Sequence, residues 1–238
     1  MNAQIVTIGR EDFLANYWQY RAGEHVTILG PTDCGKTTLG YQLLERTITP
    51  KLPALSIIVK PRSPTAEKWN KRLGFRVVRE WPPLPSIWHP RKPPGWCLWP
   101  RHSFDPDKDD YTLWKECRKA ILDSYKRGNR ILFGDEVYGL AVELKLHREL
   151  VAVWSRGREM NTGLWAASQK PSHIPLWAYS QASHLFLYFD PDERARERFG
   201  EIGGVDPKLV SRAVMGLAEH QCLYIRRKGM NRDRKSVV

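Results

Sequence analysis

The sequence lacks several features that mark whole classes of protein. Its four cysteines, at positions 34, 97, 117 and 222, include no CxxC pair, so no disulfide framework is indicated. A zinc site built from His89, Cys97 and His102 would lack a fourth ligand. No apolar run approaches the roughly 18 residues of a membrane span, and the amino terminus has no signal-peptide pattern. We therefore expect a protein with no membrane span that acts in a reducing, cytoplasmic setting.

Acidic residues are scarce relative to basic ones. The chain has 38 Lys and Arg against 26 Asp and Glu, which gives a net charge of +12. Such an excess favours a polyanionic partner such as nucleic acid, although a basic soluble protein without one would have the same composition. The basic tail, residues 226–238, carries six basic residues and one acid between Arg226 and Lys235. It would either lie on phosphates or remain solvated.

Short apolar runs alternate with helical patterns along most of the 238 residues. The pattern predicts strands at His25–Leu29, Leu55–Val59, Arg130–Gly134, Gly163–Ala167, Ser183–Phe189 and Gln221–Arg226, with a short strand near Trp96–Trp99. It predicts helices at Lys36–Thr47, Tyr111–Arg127, Ala141–Arg158 and Asp206–Met215. This alternation predicts an α/β fold with a mostly parallel sheet flanked by helices. We expect one domain spanning residues 1–238.

One segment does not follow this alternation of predicted strands and helices. Between Trp81 and Pro100, seven of twenty residues are proline and four are tryptophan. Proline disfavours regular structure, but tryptophan side chains are usually buried. We interpret this Trp/Pro-rich insertion, residues 81–100, as an ordered element packed on the domain or on a neighbouring subunit.

A phosphate-binding loop follows the first predicted strand. The motif G-x-x-x-x-G-K-[ST] is matched by Gly30, Pro31, Thr32, Asp33, Cys34, Gly35, Lys36 and Thr37. A strand before the loop and an amphipathic helix after it supply the context that this motif requires. Backbone N–H groups at the helix start would bind phosphate oxygens. Lys36 would reach the β- and γ-phosphates, Thr37 would bind Mg²⁺, and Thr38 would reach the α-phosphate. The cofactors predicted are therefore ATP and Mg²⁺.

Two adjacent carboxylates end the strand Arg130–Gly134. Asp135 would hold Mg²⁺ through water, and Glu136 would act as the general base that polarises the attacking water. A glutamate at this position favours hydrolysis over transfer to a small-molecule acceptor. An ordinary acidic turn would look the same in isolation, but the loop at Gly30–Thr37 makes the catalytic interpretation the better one.

The stretch from Ser155 to Pro171 resembles the HerA/FtsK superfamily of DNA-translocating P-loop ATPases. In that family a helix ends in Arg, a Gly leads into a strand, and the strand finishes Ala-Thr-Gln; here it finishes Ala167-Ser168-Gln169. The resemblance implies a RecA-like core. It implies that Gln169 contacts the γ-phosphate and that Arg158, with Arg156 as its rival, is an arginine finger. A finger that acts on a neighbouring subunit implies a homo-oligomeric ring, a hexamer in this family.

The resemblance further implies a motor that translocates double-stranded DNA. The compact chain favours a viral genome-packaging ATPase, which would dock on a portal or capsid vertex protein in the host cytoplasm or on the virion. Three alternatives stay open: a plasmid or cellular DNA motor, a single-strand helicase whose tryptophans stack bases, and a phage-assembly ATPase that drives protein extrusion. The DNA-contacting loop would be Tyr138–Gly139 or Lys170–His173.

Overall fold

The computed structural model describes residues 5–84, 93–169, 178, 181–193, 196 and 206–227. Eight strands occur in these ranges: β1 (Val26–Leu29), β2 (Ala54–Ile57), β3 (Arg76–Val78), β4 (Gly95–Leu98), β5 (Arg130–Gly134), β6 (Thr162–Ser168), β7 (His184–Tyr188) and β8 (Cys222–Arg226). The α-helices there are α1 (Arg10–Asp12), α2 (Lys36–Thr47), α3 (Pro64–Arg72), α4 (Pro106–Arg127), α5 (His147–Arg156) and α6 (Pro207–Met215). Phe13–Tyr17 and Gly139–Glu143 are π-helical, and Gly157–Met160 is a 3₁₀ turn.

The strands form a single sheet in the order β3-β4-β2-β5-β6-β1-β7-β8. All neighbouring strands run parallel except β7 and β8, which are antiparallel. The predicted α/β class with a mostly parallel sheet is thus confirmed. Strand β6 lies between β1 and β5, so its carboxyl end is placed between the ends of the other two. Among the described helices, none has the length and apolar character needed to cross a bilayer.

The sheet is buried on both faces, as parallel sheets require. Every residue of β5 is buried, and its side chains alternate between two hydrophobic clusters. Leu132 packs in the cluster that contains Leu150 and Trp154 of α5. The next residue, Phe133, packs in the cluster that contains Leu39 of α2. Helices cover both faces, and the loops at the strand ends are left to form the edges of the sheet.

The helix predicted over Ala141–Arg158 is interrupted in the structure, so that prediction was wrong in its extent. Gly139–Glu143 forms a π-helical turn, and α5 begins only at His147. Between them Lys145 has a φ of 54°, which a right-handed helix cannot include. Helix α5 then ends at Arg156, and Arg158 lies in the 3₁₀ turn that follows.

Helix α3 and strand β3 were not predicted, although α3 carries a readable start signal. The Ser63 hydroxyl accepts a hydrogen bond from the Ala66 N–H at 3.3 Å, and Pro64 occupies the first helical turn. A serine cap followed by proline is a common helix beginning. The apolar periodicity of this nine-residue helix is weak, since only Ala66, Trp69 and Asn70 are buried.

The described part of the Trp/Pro-rich insertion packs on its own domain. The Trp81 N–H donates to Glu116 Oε2 at 2.6 Å, and the Trp81 indole N–H donates to Asp123 Oδ2 at 3.1 Å. The buried Arg130 guanidinium lies over the rings of Trp81 and Trp96, at 5.7 and 5.0 Å from their centroids. Residues 85–92 lie outside the described residues. The prediction of packing on the domain therefore holds for Trp81 and Trp96.

Gly163, the second residue of β6, has no room for a side chain. A Cβ at this position would overlap the Tyr20 hydroxyl and would lie 2.5 Å from the Glu24 carbonyl oxygen. Gly163→Ala is therefore expected to lower the free energy of unfolding by about 1–3 kcal/mol, measured by urea denaturation. The matched control is Gly9→Ala, where a Cβ meets nothing within 4 Å. Equal stability of the two variants would contradict this account of the motif glycine.

Candidate functional site

Three parallel strands end side by side and bring the predicted site residues together. The loop Gly30–Gly35 follows β1, Gln169 follows β6, and Asp135 with Glu136 follows β5. Their register is close, because Leu29 pairs with Ser168 and Gly134 pairs with Ala166. Ligands of open α/β sheets bind at the carboxyl ends of the strands, and these loops form that edge.

The loop after β1 has the backbone conformation of an anion site. Gly35 has a φ of 101° and Asp33 a φ of 60°, so two residues of the turn are left-handed. Helix α2 begins immediately afterwards, and no side chain caps its amino terminus. The first hydrogen bond into the helix from the turn runs from the Leu39 N–H to the Gly35 carbonyl at 2.9 Å. The preceding N–H groups and the helix dipole therefore favour a bound anion.

Lys36 places its ammonium group inside this loop. The side chain is largely buried and donates to the Pro31 carbonyl, and its Nζ lies 3.7 Å from Cys34 Sγ. Burial lowers the pKa of Lys36, while Cys34, Glu136 and Asp135 oppose that shift. The Lys36 ammonium thus donates to an acceptor within the loop itself, and a stronger acceptor would displace that contact. Phosphate oxygens are such acceptors.

Thr37 and Asp135 meet across the edge of the sheet. The Thr37 hydroxyl donates to Asp135 Oδ1 at 2.6 Å, and Asp135 is only 5% exposed. A hydroxyl and a carboxylate are hard oxygen donors of the kind that Mg²⁺ prefers. No group of three or more His, Cys, Asp or Glu side chains with metal-site geometry occurs in the described part of the chain. The pair thus suits a Mg²⁺ ion whose remaining ligands come from water and nucleotide phosphates.

Glu136 is held in place by the neighbouring strand. Its Oε1 accepts a hydrogen bond from the Ser168 hydroxyl at 2.9 Å and from the Tyr138 N–H at 3.4 Å. Burial raises the pKa of Glu136, and the Ser168 hydrogen bond and the Lys60 charge oppose this rise. A carboxylate with a raised pKa is a better proton acceptor near neutral pH. Sequence reasoning noted Ser168 only as a replacement for threonine and missed this contact.

Gln169 joins the end of β6 to the phosphate loop. Its Oε1 accepts a hydrogen bond from the Thr32 hydroxyl at 2.9 Å. The preceding residue, Ser168, contacts Glu136, so consecutive residues of one strand end touch the loop and the predicted base. The end of β6 is thus hydrogen-bonded to the phosphate loop through Gln169 and to Glu136 through Ser168.

Arg158 and Arg156 lie at the opposite edge of the sheet from these groups. Both side chains are exposed and precede the first residue of β6, whereas Gln169 follows its last. The seven residues of β6 separate the two edges by about 20 Å. Neither guanidinium can reach the phosphate loop of its own chain. The structure thus brings together every predicted site residue except the two candidate fingers.

The two candidate DNA-contacting loops differ in how they are placed. Tyr138 and Gly139 lie directly beyond Glu136, at the entrance to the π-helical turn Gly139–Glu143. Lys170–His173 lies outside the described residues, as does the basic tail beyond residue 227. DNA contact by Tyr138–Gly139 and DNA contact by Lys170–His173 therefore both stay predictions from the sequence.

Sequence reasoning missed two residues that line the loop, Tyr188 and His220, and a third, Arg10, that supports His220. The Tyr188 hydroxyl lies 3.7 Å from where a Cβ on Gly35 would stand. The His220 Nδ1 lies 3.2 Å from the Cys34 carbonyl oxygen, and Arg10 donates to the His220 carbonyl at 2.7 Å. These residues are far apart in sequence and belong to no motif, so only the folded sheet brings them to the site.

The fold resembles solved structures of ATPases. The DNA-packaging ATPase B204 from Sulfolobus turreted icosahedral virus matches with a TM-score of 0.59 at 16% sequence identity, covering 87% of this chain and 94% of that chain. B204 from Sulfolobus turreted icosahedral virus 2, in complex with ATP-gammaS, matches with a TM-score of 0.58 at 15% identity, covering 87% and 94%. EssC (ATPases 2 and 3) from Geobacillus thermodenitrificans matches at 0.51 and 14% identity, covering 88% of this chain and 39% of that chain.

No protein-family model matches the sequence, and no curated protein sequence matches it. The likeness therefore lies in the arrangement of strands and helices. It confirms the RecA-like P-loop fold that the family resemblance implied.

Proposed function

We propose that the chain is an ATP-hydrolysing motor of the HerA/FtsK superfamily that translocates double-stranded DNA as a ring, most specifically a viral genome-packaging ATPase. One observation carries this proposal: the Thr37–Asp135 pair at 2.6 Å lies beside Glu136, which Ser168 holds at 2.9 Å. A binding loop, a metal-binding pair and a positioned base at one edge are the parts of a nucleotide hydrolase.

Each side chain of the proposed site has a separate role in ATP hydrolysis. Backbone N–H groups of the loop and the Lys36 ammonium bind the phosphates and offset their charge. When bound with Mg²⁺ through Thr37 and Asp135, ATP supplies the phosphoanhydride bond that is cleaved. Glu136 accepts a proton from the attacking water, and Gln169 orients toward the γ-phosphate. The hydrogen bond from Thr32 to the Gln169 amide oxygen places this side chain at the phosphate loop.

The position of the two candidate fingers supports a ring. Arg158 and Arg156 cannot reach the phosphates of their own chain, because β6 lies between them and the site. A finger on this chain therefore serves the site of a neighbour. Such a contact would join the carboxyl edge of one sheet to the amino edge of the next. It is a head-to-tail interface, which forms a ring when the rotation between subunits closes.

Genome packaging is supported by the likeness to B204, a DNA-packaging ATPase. The match covers 87% of this chain and 94% of the B204 chain. The same architecture thus accounts for nearly all of a packaging ATPase. Such a motor would receive DNA in the host cytoplasm and dock on a portal or capsid vertex protein. The charge of +12 suits a partner bound through phosphates.

Duplex DNA is expected to stimulate ATP hydrolysis, and the stimulation is expected to depend on salt. Contacts to phosphates release counterions, so apparent DNA affinity should fall at least about tenfold between 50 and 200 mM salt. The measurement is phosphate release with increasing concentrations of duplex DNA, at both salt concentrations. Sequence changes in the duplex should alter the affinity little, because phosphate contacts do not read bases.

The matched control compares duplex, single-stranded and no nucleic acid under the same conditions. Stimulation by single strands alone would favour the helicase interpretation and exclude the duplex motor. Displacement of a triplex-forming strand from a long duplex then reports movement along DNA. A chain that hydrolyses ATP but never displaces that strand would not be a translocase.

A further inference from the structure

The phosphate loop is held from two sides by different strands. On the β6 side, Thr32 donates to Gln169 at 2.9 Å. On the other side, the Cys34 carbonyl oxygen lies 3.2 Å from the Nδ1 atom of His220. His220 belongs to the turn that precedes β8, and β8 reaches β1 only through β7. The loop therefore has a β6 side, which carries Gln169, and a β7–β8 side, which carries His220.

The proposed function fixes which end of a nucleotide faces each side. In the proposed function the γ-phosphate lies at the ends of β5 and β6, where Glu136 contacts Ser168 and Gln169 contacts Thr32. The α-phosphate lies toward Thr38, one residue into α2 from the metal-binding Thr37. With the γ-phosphate end facing β5 and β6, the nucleoside end faces the other side of the loop, which carries His220. The ribose and base must emerge over the ends of β7 and β8.

We propose that the turn Ala218–Gln221 is the nucleoside wall of this site, and that the His220 imidazole packs against the base of the bound nucleotide. This inference rests on the proposed function, since it uses the γ-phosphate position to orient the ligand. His220 is the residue of the turn that contacts the phosphate loop, and 60% of its side chain is exposed. An aromatic face that is fixed at its edge and open to solvent is a stacking platform for a base.

The turn is built to hold that ring in one place. The Gln221 N–H donates to the Ala218 carbonyl at 3.0 Å, and the Ala218 N–H donates to Gln221 Oε1 at 2.9 Å. The Arg10 guanidinium donates to the His220 carbonyl at 2.7 Å and so ties the turn to the amino-terminal helix. His220 itself has a φ of 62°. Left-handed backbone at a residue other than glycine costs energy, and it is often found at ligand clamps.

The experiment compares two ligands that share phosphates but differ in the nucleoside. His220→Asn is the informative variant because asparagine tolerates the left-handed backbone and removes the ring. It should bind ATP about tenfold more weakly than the unaltered chain. Its affinity for inorganic tripolyphosphate should be unchanged, since that ligand reaches only the loop. Both affinities are measured by isothermal titration calorimetry with Mg²⁺.

Two further variants complete the design. His220→Gly also accepts the positive φ and removes the ring, so its loss of ATP affinity should match that of His220→Asn. His147→Asn makes the same replacement at an exposed histidine of α5 and should leave both affinities unchanged. Thermal unfolding of each variant shows whether the chain is still folded.

Unchanged ATP affinity in both His220 variants would overturn the inference, and so would equal weakening of ATP and tripolyphosphate, which would mean that the ring supports the loop. The proposed function has a separate test in the same assay. If the unaltered chain binds neither ligand, or if Lys36→Ala binds both normally, the phosphate site is wrong, and this inference falls with it.

Discussion

Glu136→Gln is expected to reduce the rate of ATP turnover by about 10²–10⁴-fold, the usual contribution of a general base. ATP binding should be nearly unchanged, because the substitution keeps the shape of the side chain and removes only its ability to accept a proton. The Ser168 hydroxyl donates to Glu136 Oε1 at 2.9 Å, and an amide oxygen accepts the same hydrogen bond. The variant should therefore keep the geometry of the site while losing its chemistry.

The measurement pairs steady-state phosphate release with calorimetric ATP affinity on the same preparation. Glu143→Gln is the matched control, because it makes the same change at an exposed glutamate seven positions along the chain and should leave turnover intact. Thermal unfolding checks that Glu136→Gln remains folded. Undiminished hydrolysis by a folded Glu136→Gln chain would refute the assignment of the base and leave Asp135 or a bound water to explain it.

The parts of the site that the sequence predicted well are those with strong local determinants. Helix α2 was predicted at Lys36–Thr47 and strand β5 at Arg130–Gly134, and the structure has the same bounds. Glycine marks the turn before α2, and two carboxylates end the apolar run of β5. Local residue types decide these boundaries, so a single sequence reveals them.

Other parts of the fold and site depend on contacts between distant segments. His220 and Cys34 are 186 positions apart, and Ser168 and Glu136 are 32 apart. Nothing in the local pattern around His220 distinguishes it from any exposed turn. The break before α5 depends on Lys145, whose left-handed backbone has no sequence signal such as glycine. Tertiary packing decides these features, and they become visible only when the sheet order is known.

The sheet order also changes the interpretation of Arg158 and Arg156 as candidate fingers. From the sequence, Arg158 and Arg156 were alternatives for a finger that the resemblance directs at the ATP of a neighbouring subunit. In the structure both lie at the amino edge of the sheet, and the phosphate loop lies at the carboxyl edge. Action within one chain is excluded by distance, which leaves action on a neighbour or no catalytic action. A mixing experiment distinguishes these two cases.

Arg158→Ala is expected to lower the rate of hydrolysis by about 10³–10⁵-fold, the range that arginine fingers contribute. ATP affinity should stay nearly intact, because the loop, Lys36 and Thr37 are untouched. The loss should be reversible by mixing with Glu136→Gln subunits. An Arg158→Ala chain keeps its own base, and a Glu136→Gln neighbour supplies the missing guanidinium, so their shared interface is complete.

With random assembly at equal amounts, about one quarter of interfaces pair an intact base with an intact arginine. Turnover should therefore recover toward a quarter of the unaltered rate and decline on either side of equal mixing. Phosphate release across a series of mixing ratios gives this curve, and native mass spectrometry with an ATP analogue confirms that mixed rings form.

Arg156→Ala is the matched control, because Arg156 is exposed at the same edge, two residues away. If it shows the larger loss and the recovery on mixing, the finger is Arg156 and the assignment to Arg158 is wrong. If neither variant recovers at any ratio although mixed rings form, no finger acts between subunits. The catalytic site at Gly30–Thr37 would then be complete within one chain. ATP hydrolysis would no longer require the head-to-tail contact between subunits.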